Sequence, residues 1–253
     1  MIGKVYIELD NVSSTNEYAK LLLAKSKPKE GTAIFAYNQW KGKGQYGNRW
    51  VSEPGENMIL SVMLYPDMLA LQRYFYLNII TSLSVRDMVA DVLGTQVQVK
   101  WPNDIVWTAP EDEANNWLKL GGILIENTLQ QDQIAASIVG MGVNVNQTNF
   151  GGATEGGSSI RLLTGRYLHI HPLIQQLFAN LEERYQQLRN GQYHQLKQTY
   201  LANLMGCYQD RTYRDYRGQF RAKLLDVRDD GQVKLLTDQG LCCYHFKEVT
   251  LVG

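Results

Sequence analysis

The sequence predicts an α+β protein: a mixed sheet with flanking helices, followed by a small C-terminal β-barrel of SH3-like type. Three observations predict it. Apolar strand-like segments and helical patterns fill the chain to about residue 205. Two of the strand segments, GGILIE and QIAASIVGMGVNV, follow one another with no helix between them, as sheet neighbours do. From Cys207 onward the texture changes to short alternating strands separated by turn dipeptides. The boundary therefore falls near 205, with a large domain at 1–205 and a small one at 206–253. A chain of 253 residues suits that division, since a single core stops growing at roughly 250–300 residues.

The elements follow in order. VYIELD reads as a strand. Ser13, Ser14, Thr15 and Asn16 offer helix caps, with Glu17 as a first-turn acid and Tyr18, Leu21 and Leu22 at helical spacing. TAIFAYN is strand-like, and the glycine-rich WKGKGQYGNRW loop follows it. NMILSVML is too apolar for an edge strand and reads as a buried one. A long helical pattern covers 69–93 and stops at Gly94, a C-cap residue. QVQVKW and IVW are strands around a turn at Pro102-Asn103-Asp104. TAPEDEANN is acidic and polar, the composition of an exposed hairpin tip. After a Gly/Ser-rich loop at 151–159, two helices are expected at about 170–189 and 192–204. RTYRDY, FRAKLLDV, QVKLLTD and CCYHF then alternate, with turn signals at Arg217-Gly218, Asp230-Gly231 and Gln239-Gly240.

Composition excludes several classes of function. Lys+Arg and Asp+Glu both number 25, so no broad positive field exists to attract DNA or an anionic membrane. No stretch approaches the ~18–20 apolar residues of a membrane span. The amino terminus lacks the pattern of a secretory signal. Three cysteines without framework spacing point to reduced thiols and a cytoplasmic setting. With four histidines they do not make a zinc site.

Four segments carry candidate chemistry. Gly42-Lys43-Gly44-Gln45-Tyr46-Gly47-Asn48-Arg49-Trp50 combines glycines, which let backbone N–H groups approach an anion, with the cations Lys43 and Arg49 and the flat face of Trp50. By composition alone it is equally a hairpin tip with solvated lysines, and it lacks P-loop spacing. Lys100-Trp101-Pro102-Asn103-Asp104 places a cation, an amide and a carboxylate within one turn. Lys100 ends a buried-looking strand, where a lysine needs a partner or an anion. Lys119 opens an apolar strand just before the pair Gly121-Gly122, which permits close approach of a ligand or a neighbouring strand. Gly140-Met141-Gly142-Val143-Asn144 repeats that device, with Asn144 as a polar group for a base edge or phosphate. Each segment alone is compatible with an ordinary turn or bulge.

Their order is more telling. Ser-Ser-Thr-Asn, Gln39 with the glycine loop, Lys-Trp-Pro-Asn-Asp, Lys-Leu-Gly-Gly-Ile-Leu-Ile-Glu and Gly-Met-Gly-Val-Asn-Val resemble the biotin–protein ligase family across essentially the whole chain. The resemblance implies a class II synthetase-like catalytic domain that converts biotin and ATP, with Mg²⁺, into biotinyl-5'-AMP. It then transfers the biotinyl group to a lysine of a biotin carboxyl carrier protein. It further implies that Ser14, Thr15, Asn16 and Gln39 surround the ureido ring and that Gly42, Lys43, Gly44 and Gln45 belong to a loop ordering over the adenylate. Lys100, Asn103 and Asp104 would form the polar reaction centre, Lys119 would meet the biotin carboxyl and the phosphate, and Gly122 and Gly140 would clear space for the ligands. Trp50 and Asn144 would lie on the nucleotide side. Metal ligands are not implied. With the motifs beginning at Ser14, no DNA-binding domain and no DNA partner are expected, and composition gives no expectation of a membrane; the resemblance is compatible with a homodimer, because sheet-to-sheet dimers occur in the family. Two departures are visible: Gln45 stands where the family often has a second basic residue, and TAPEDEANN is longer than a minimal hairpin. Competing readings are a lipoate or octanoyl ligase of related fold and a non-enzymatic binding module.

Overall fold

The computed structural model describes residues 2–109, 116–151 and 156–252. In chain order the first unit comprises β1 (Tyr6–Val12), α1 (Thr15–Lys25), β2 (Ala33–Gln39), β3 (Gly42–Lys43), β4 (Arg49–Trp50), β5 (Asn57–Leu64), α2 (Phe75–Leu93), β6 (Val97–Lys100), β7 (Asp104–Thr108), β8 (Trp117–Gln130), β9 (Gln133–Asn144), α3 (Ile160–Thr164), α4 (Ile170–Arg189) and α5 (Tyr193–Ala202). The barrel unit holds β10 (Asp210–Asp215), β11 (Gly218–Val227), β12 (Val233–Thr237), β13 (Gly240–Tyr244) and β14 (Thr250–Leu251). The expected tip at 108–116 and the Gly/Ser-rich loop lie largely or partly outside the described residues.

Seven strands form one sheet in the order β1-β2-β5-β9-β8-β7-β6. It is mixed: β1 and β2 run parallel and the other neighbours antiparallel. The apolar run NMILSVML is β5, and every one of its residues is buried. The reason is coverage on both faces. Met58, Leu60, Val62 and Leu64 point into the main core with α2 and α4, whereas Met63 packs with Ala19, Ile34 and Ile138 under α1. Successive side chains of a strand point to opposite faces, so the same alternation brings Ile59 and Ser61 to the α1 face. Truncating a side chain such as Leu60 would cost about 2–5 kcal/mol.

The long helical pattern at 69–93 resolves into a 3₁₀ turn (Leu71–Arg73) followed by α2, ending at Gly94. The short helix α3 has no counterpart in the sequence reading, because five residues give no periodicity to read.

The barrel strands pair antiparallel in the order β13-β12-β11-β10-β14. Gly231, in the β11–β12 turn, has φ +84° and lies against Phe75 and Phe246, where an added Cβ would come within 2.7 and 2.8 Å of their rings. Both the backbone conformation and the space require glycine there. Trp101 Nε1 donates to the Gly231 carbonyl at 3.0 Å, so the Lys-Trp-Pro-Asn-Asp turn is fastened to the barrel.

Candidate active site

A cleft of about 960 Å³ runs between the α1 face of the sheet and the barrel. Of the residues to which the resemblance gives a place in the site, all but Gly42 and Asn144 line it; Gly47, Gly121 and Val143 of the same segments do not.

One end is polar. Ser14 takes the N-cap position of α1, yet its hydroxyl makes no capping bond and faces the cleft. The Thr15 N–H donates to Gln39 Oε1 at 2.8 Å, tying the helix to the end of β2. Gly42 lies beside Gln39, where a Cβ would stand 2.6 Å from its amide nitrogen and 2.3 Å from the Trp50 carbonyl. Gly42 is therefore needed for the close approach of the β3–β4 ribbon and does not itself line the cleft. Beneath Thr15 and Asn16 lies Ser61, fully buried, its Oγ 2.7 Å from both Thr15 Oγ1 and Asn16 Oδ1. Asn16 Nδ2 donates to Glu126 Oε2 at 2.8 Å. Gly140 clears room for this amide: a Cβ there would sit 2.5 Å from Asn16 Oδ1.

The other end is charged. Lys100 and Asp104 face each other across the β6–β7 turn, and Lys119 Nζ lies 2.6 Å from Asp104 Oδ1. Lys100 Nζ sits over the Trp117 ring, 4.9 Å from its centre. Burial holds the Lys100 ammonium below the usual amine range; the Asp104 carboxylate opposes that shift and Lys119 adds to it. Asn103 Nδ2 donates to the Ile123 carbonyl at 2.7 Å, and the Ile123 N–H donates to the Asn103 carbonyl at 3.0 Å, so Asn103 clasps the turn to β8. Asn144 does not line the cleft. Its amide donates to the carbonyls of Ser158 (3.0 Å) and Lys119 (3.4 Å), fixing the backbone that carries Lys119.

Between the two ends lies the glycine segment. It is a short ribbon, β3 with β4, closed by a 3₁₀ turn at Gln45–Gly47. Trp50 lies on bare backbone, since a Cβ on Gly142 would meet its ring at 2.7 Å and one on Gly122 at 3.4 Å. Its indole Nε1 is buried in the cleft with no acceptor. Lys43 reaches away from the charged end to Glu17 Oε1 at 2.6 Å. The bonds from Lys43 and then Lys20 hold the Glu17 carboxyl below the usual carboxylate range.

Sequence reasoning missed Ser61, Glu126 and the barrel's share of the lining, which includes Arg214 and Phe246. Glu126 closes the Lys-Leu-Gly-Gly-Ile-Leu-Ile-Glu segment; Ser61 and the barrel residues carry no local signal.

Residues 8–144 match the model of the Biotin/lipoate A/B protein ligase family. The chain belongs to that family. The matched span contains every candidate residue, from Ser14 to Asn144. Among curated family members, the bifunctional ligase/repressor BirA of Bacillus subtilis (strain 168) is 28% identical over 244 residues, spanning 95% of this chain and 72% of that protein. The biotin–[acetyl-CoA-carboxylase] ligase of Paracoccus denitrificans is 30% identical over 128 residues, half of this chain and 49% of its own length. In fold the chain is similar to the biotin protein ligase from Aquifex aeolicus in complex with biotin and ATP, with TM-score 0.79, 23% identity and coverage of 98% and 99% of the two chains. The family's mixed sheet with flanking helices and C-terminal β-structure is thus the fold seen here.

Among the described residues no three His, Cys, Asp or Glu side chains gather to hold a metal ion, so they do not form a dedicated cage for Mg²⁺. No helix among them is long and apolar enough to cross a membrane.

Proposed function

We propose that this chain activates biotin with ATP as biotinyl-5'-AMP and transfers it to a lysine of a biotin carboxyl carrier protein. The observation that carries the reading is one cleft with two unlike ends. Ser14, Thr15 and Gln39 gather at one, and Lys100 and Lys119 converge with Asp104 at the other. The similarity to the biotin–[acetyl-CoA-carboxylase] ligase of Paracoccus denitrificans supports the same substrate.

A bicyclic ring with a polar ureido edge and an acyl tail fits such a cleft: placed hydrogen-bonding groups at the ring, a cationic meeting point at the carboxylate. Activation brings a carboxylate against the α-phosphate, two anions that repel. Lys119 exchanges its bond to Asp104 for the incoming oxygens, and Lys100, already poorly solvated, gains more from an anion than an exposed lysine does. Trp50 offers the nucleotide a flat face at the cleft wall. Once freed of Lys119, Asp104 is placed to orient the carrier lysine. The β3–β4 ribbon covers the anhydride against water between the two steps. Mg²⁺ accompanies the ATP phosphates, and no residue here is assigned to hold it. We place the enzyme in the cytoplasm.

The test is pyrophosphate exchange into ATP without a carrier. Exchange with biotin is expected; exchange with lipoate or octanoate but not biotin moves the chain to the other branch of its family.

A further inference from the structure

Resting on the reading of the polar end as the ureido pocket, we infer that Glu126 and Ser61 are positioning residues that fix Thr15 as a hydrogen-bond acceptor toward a ureido N–H of the substrate. The inference follows from counting protons along one chain of contacts.

Glu126 is bonded by Lys20 at 2.6 Å through Oε1, which leaves Oε2 facing Asn16 at 2.8 Å. A carboxylate only accepts, so the Asn16 amide must turn its NH₂ toward Glu126. That same NH₂ reaches the Leu124 carbonyl at 3.4 Å. Asn16 Oδ1 is then turned toward Ser61, 2.7 Å from its Oγ. The Oδ1 also only accepts, so the single Ser61 proton goes to it. Ser61 Oγ lies equally close, 2.7 Å, to Thr15 Oγ1. With its own proton spent, Ser61 accepts there, and Thr15 must donate.

The Thr15 proton is thus consumed inside the protein, and only lone pairs remain on the side that lines the cleft. The weaker 3.4 Å contact of Thr15 Oγ1 with Gln39 Oε1 leads to the same conclusion, since it too uses the hydroxyl as a donor. Ser61 and Asn16 are buried, so water does not scramble the order. The neighbouring strand helps: β9 passes Asn16 at Gly140, and any side chain there would displace the amide. Ser61 and Gly140 are direct cross-strand partners, so the sheet register itself sets the relay.

The ordered relay confers selectivity. A ligand that presents an N–H to Thr15 is accepted, and one that presents a lone pair or a methyl group in its place meets an acceptor it cannot satisfy. Glu126→Gln reverses the chain. Glutamine has one acceptor, which the Lys20 ammonium takes, and its NH₂ then faces Asn16. Asn16 flips, its NH₂ donates to Ser61, Ser61 donates to Thr15, and the Thr15 proton is left with only the long 3.4 Å contact to Gln39 Oε1, an oxygen already taken by the Thr15 N–H, so it is free to turn into the cleft.

The experiment is biotin-dependent pyrophosphate exchange by the full chain and by Glu126→Gln and Ser61→Ala. Biotin is compared with the two biotins methylated on one or other ureido nitrogen. The glutamine is isosteric and partly solvated, so it keeps the test valid if Ser61→Ala folds poorly. The parent should reject one methyl isomer more strongly than the other. Both variants should raise KM for biotin about tenfold, the loss of one hydrogen bond, with KM for ATP in place. Both should also shrink the preference for biotin over the rejected isomer by a similar factor. If the folded Glu126→Gln variant keeps the parent's preference, the relay is overturned while the substrate assignment stands. If the parent shows no biotin-dependent exchange, the substrate assignment falls and takes the relay with it.

Discussion

Lys43 Nζ rests 2.6 Å from Glu17 Oε1, so the ribbon's leading cation is held by helix α1 and not aimed at the charged end of the cleft. For Lys43 to meet an adenylate phosphate that pair must open. Both partners are more than a third exposed, which makes the pair a weak latch, worth about 0.2–1 kcal/mol. Glu17→Gln should therefore slow release of biotinyl-adenylate modestly, by roughly 1.5- to fivefold. Lys43→Ala should speed it roughly tenfold to a hundredfold, the loss of a charge-assisted contact, and should label bystander lysines. Stopped-flow release of the adenylate checks both; equal release rates in all three proteins would deny Lys43 a clamping role.

Lys119→Ala should lower the rate of adenylation by about 10²–10³, the usual cost of removing one charge-stabilising group. The side chain is partly exposed at the start of β8, so unfolding free energy should change by no more than about 1 kcal/mol. Thermal unfolding measured beside pyrophosphate exchange separates the two effects. A variant with the parent rate would reduce Lys119 to a surface partner of Asp104.

Lys100 gives a pH dependence of opposite sign in activity and stability. Its folded pKa is lowered by burial, so it sheds its proton at a lower pH than a free lysine. Activity should fall on the alkaline side as that proton leaves. Between the lowered folded value and the ordinary unfolded one, the unfolded chain binds more protons, and this residue's contribution to stability rises with pH. Lys100→Arg keeps the charge throughout and should abolish both effects. The difference between parent and variant, in alkaline rate profiles and in denaturant midpoints, isolates this residue's share. An unchanged alkaline limb in the variant assigns that limb to another group.

Gly142→Ala should displace Trp50, because the new Cβ would lie 2.7 Å from the indole ring. The expected result is a several-fold rise in KM for ATP with a shifted Trp fluorescence maximum and little change in KM for biotin. A parent-like KM for ATP would remove Trp50 from the nucleotide site.

The sequence carried the local features of this fold well and the long-range ones poorly. Buried β5, the helices at 75–93 and 170–189 and the alternating barrel strands announce themselves through hydrophobic periodicity. The lysine-bearing turn announces itself through its residue types. Sheet register does not. Nothing local in NMILSVML says that Ser61 will stand opposite Gly140 and beneath Asn16. For the same reason the glycines announce close approach without naming what approaches: Gly140 clears Asn16 and Gly142 clears Trp50. Asn144 and Asn103 look like ligand contacts by type, yet each commits its amide to a main-chain carbonyl. A buried amide takes whichever acceptor the fold supplies, and that choice is invisible until the strands are paired.

The central claim is transfer of biotin to a carrier lysine, and intact-mass spectrometry of a biotin carboxyl carrier domain tests it most directly. After incubation with this protein, ATP, Mg²⁺ and biotin, the domain should gain one biotinyl group on a single lysine, and Lys119→Ala should slow that gain by about 10²–10³. A carrier that stays unmodified with biotin while a lipoyl or octanoyl group is added under the same conditions would contradict the account.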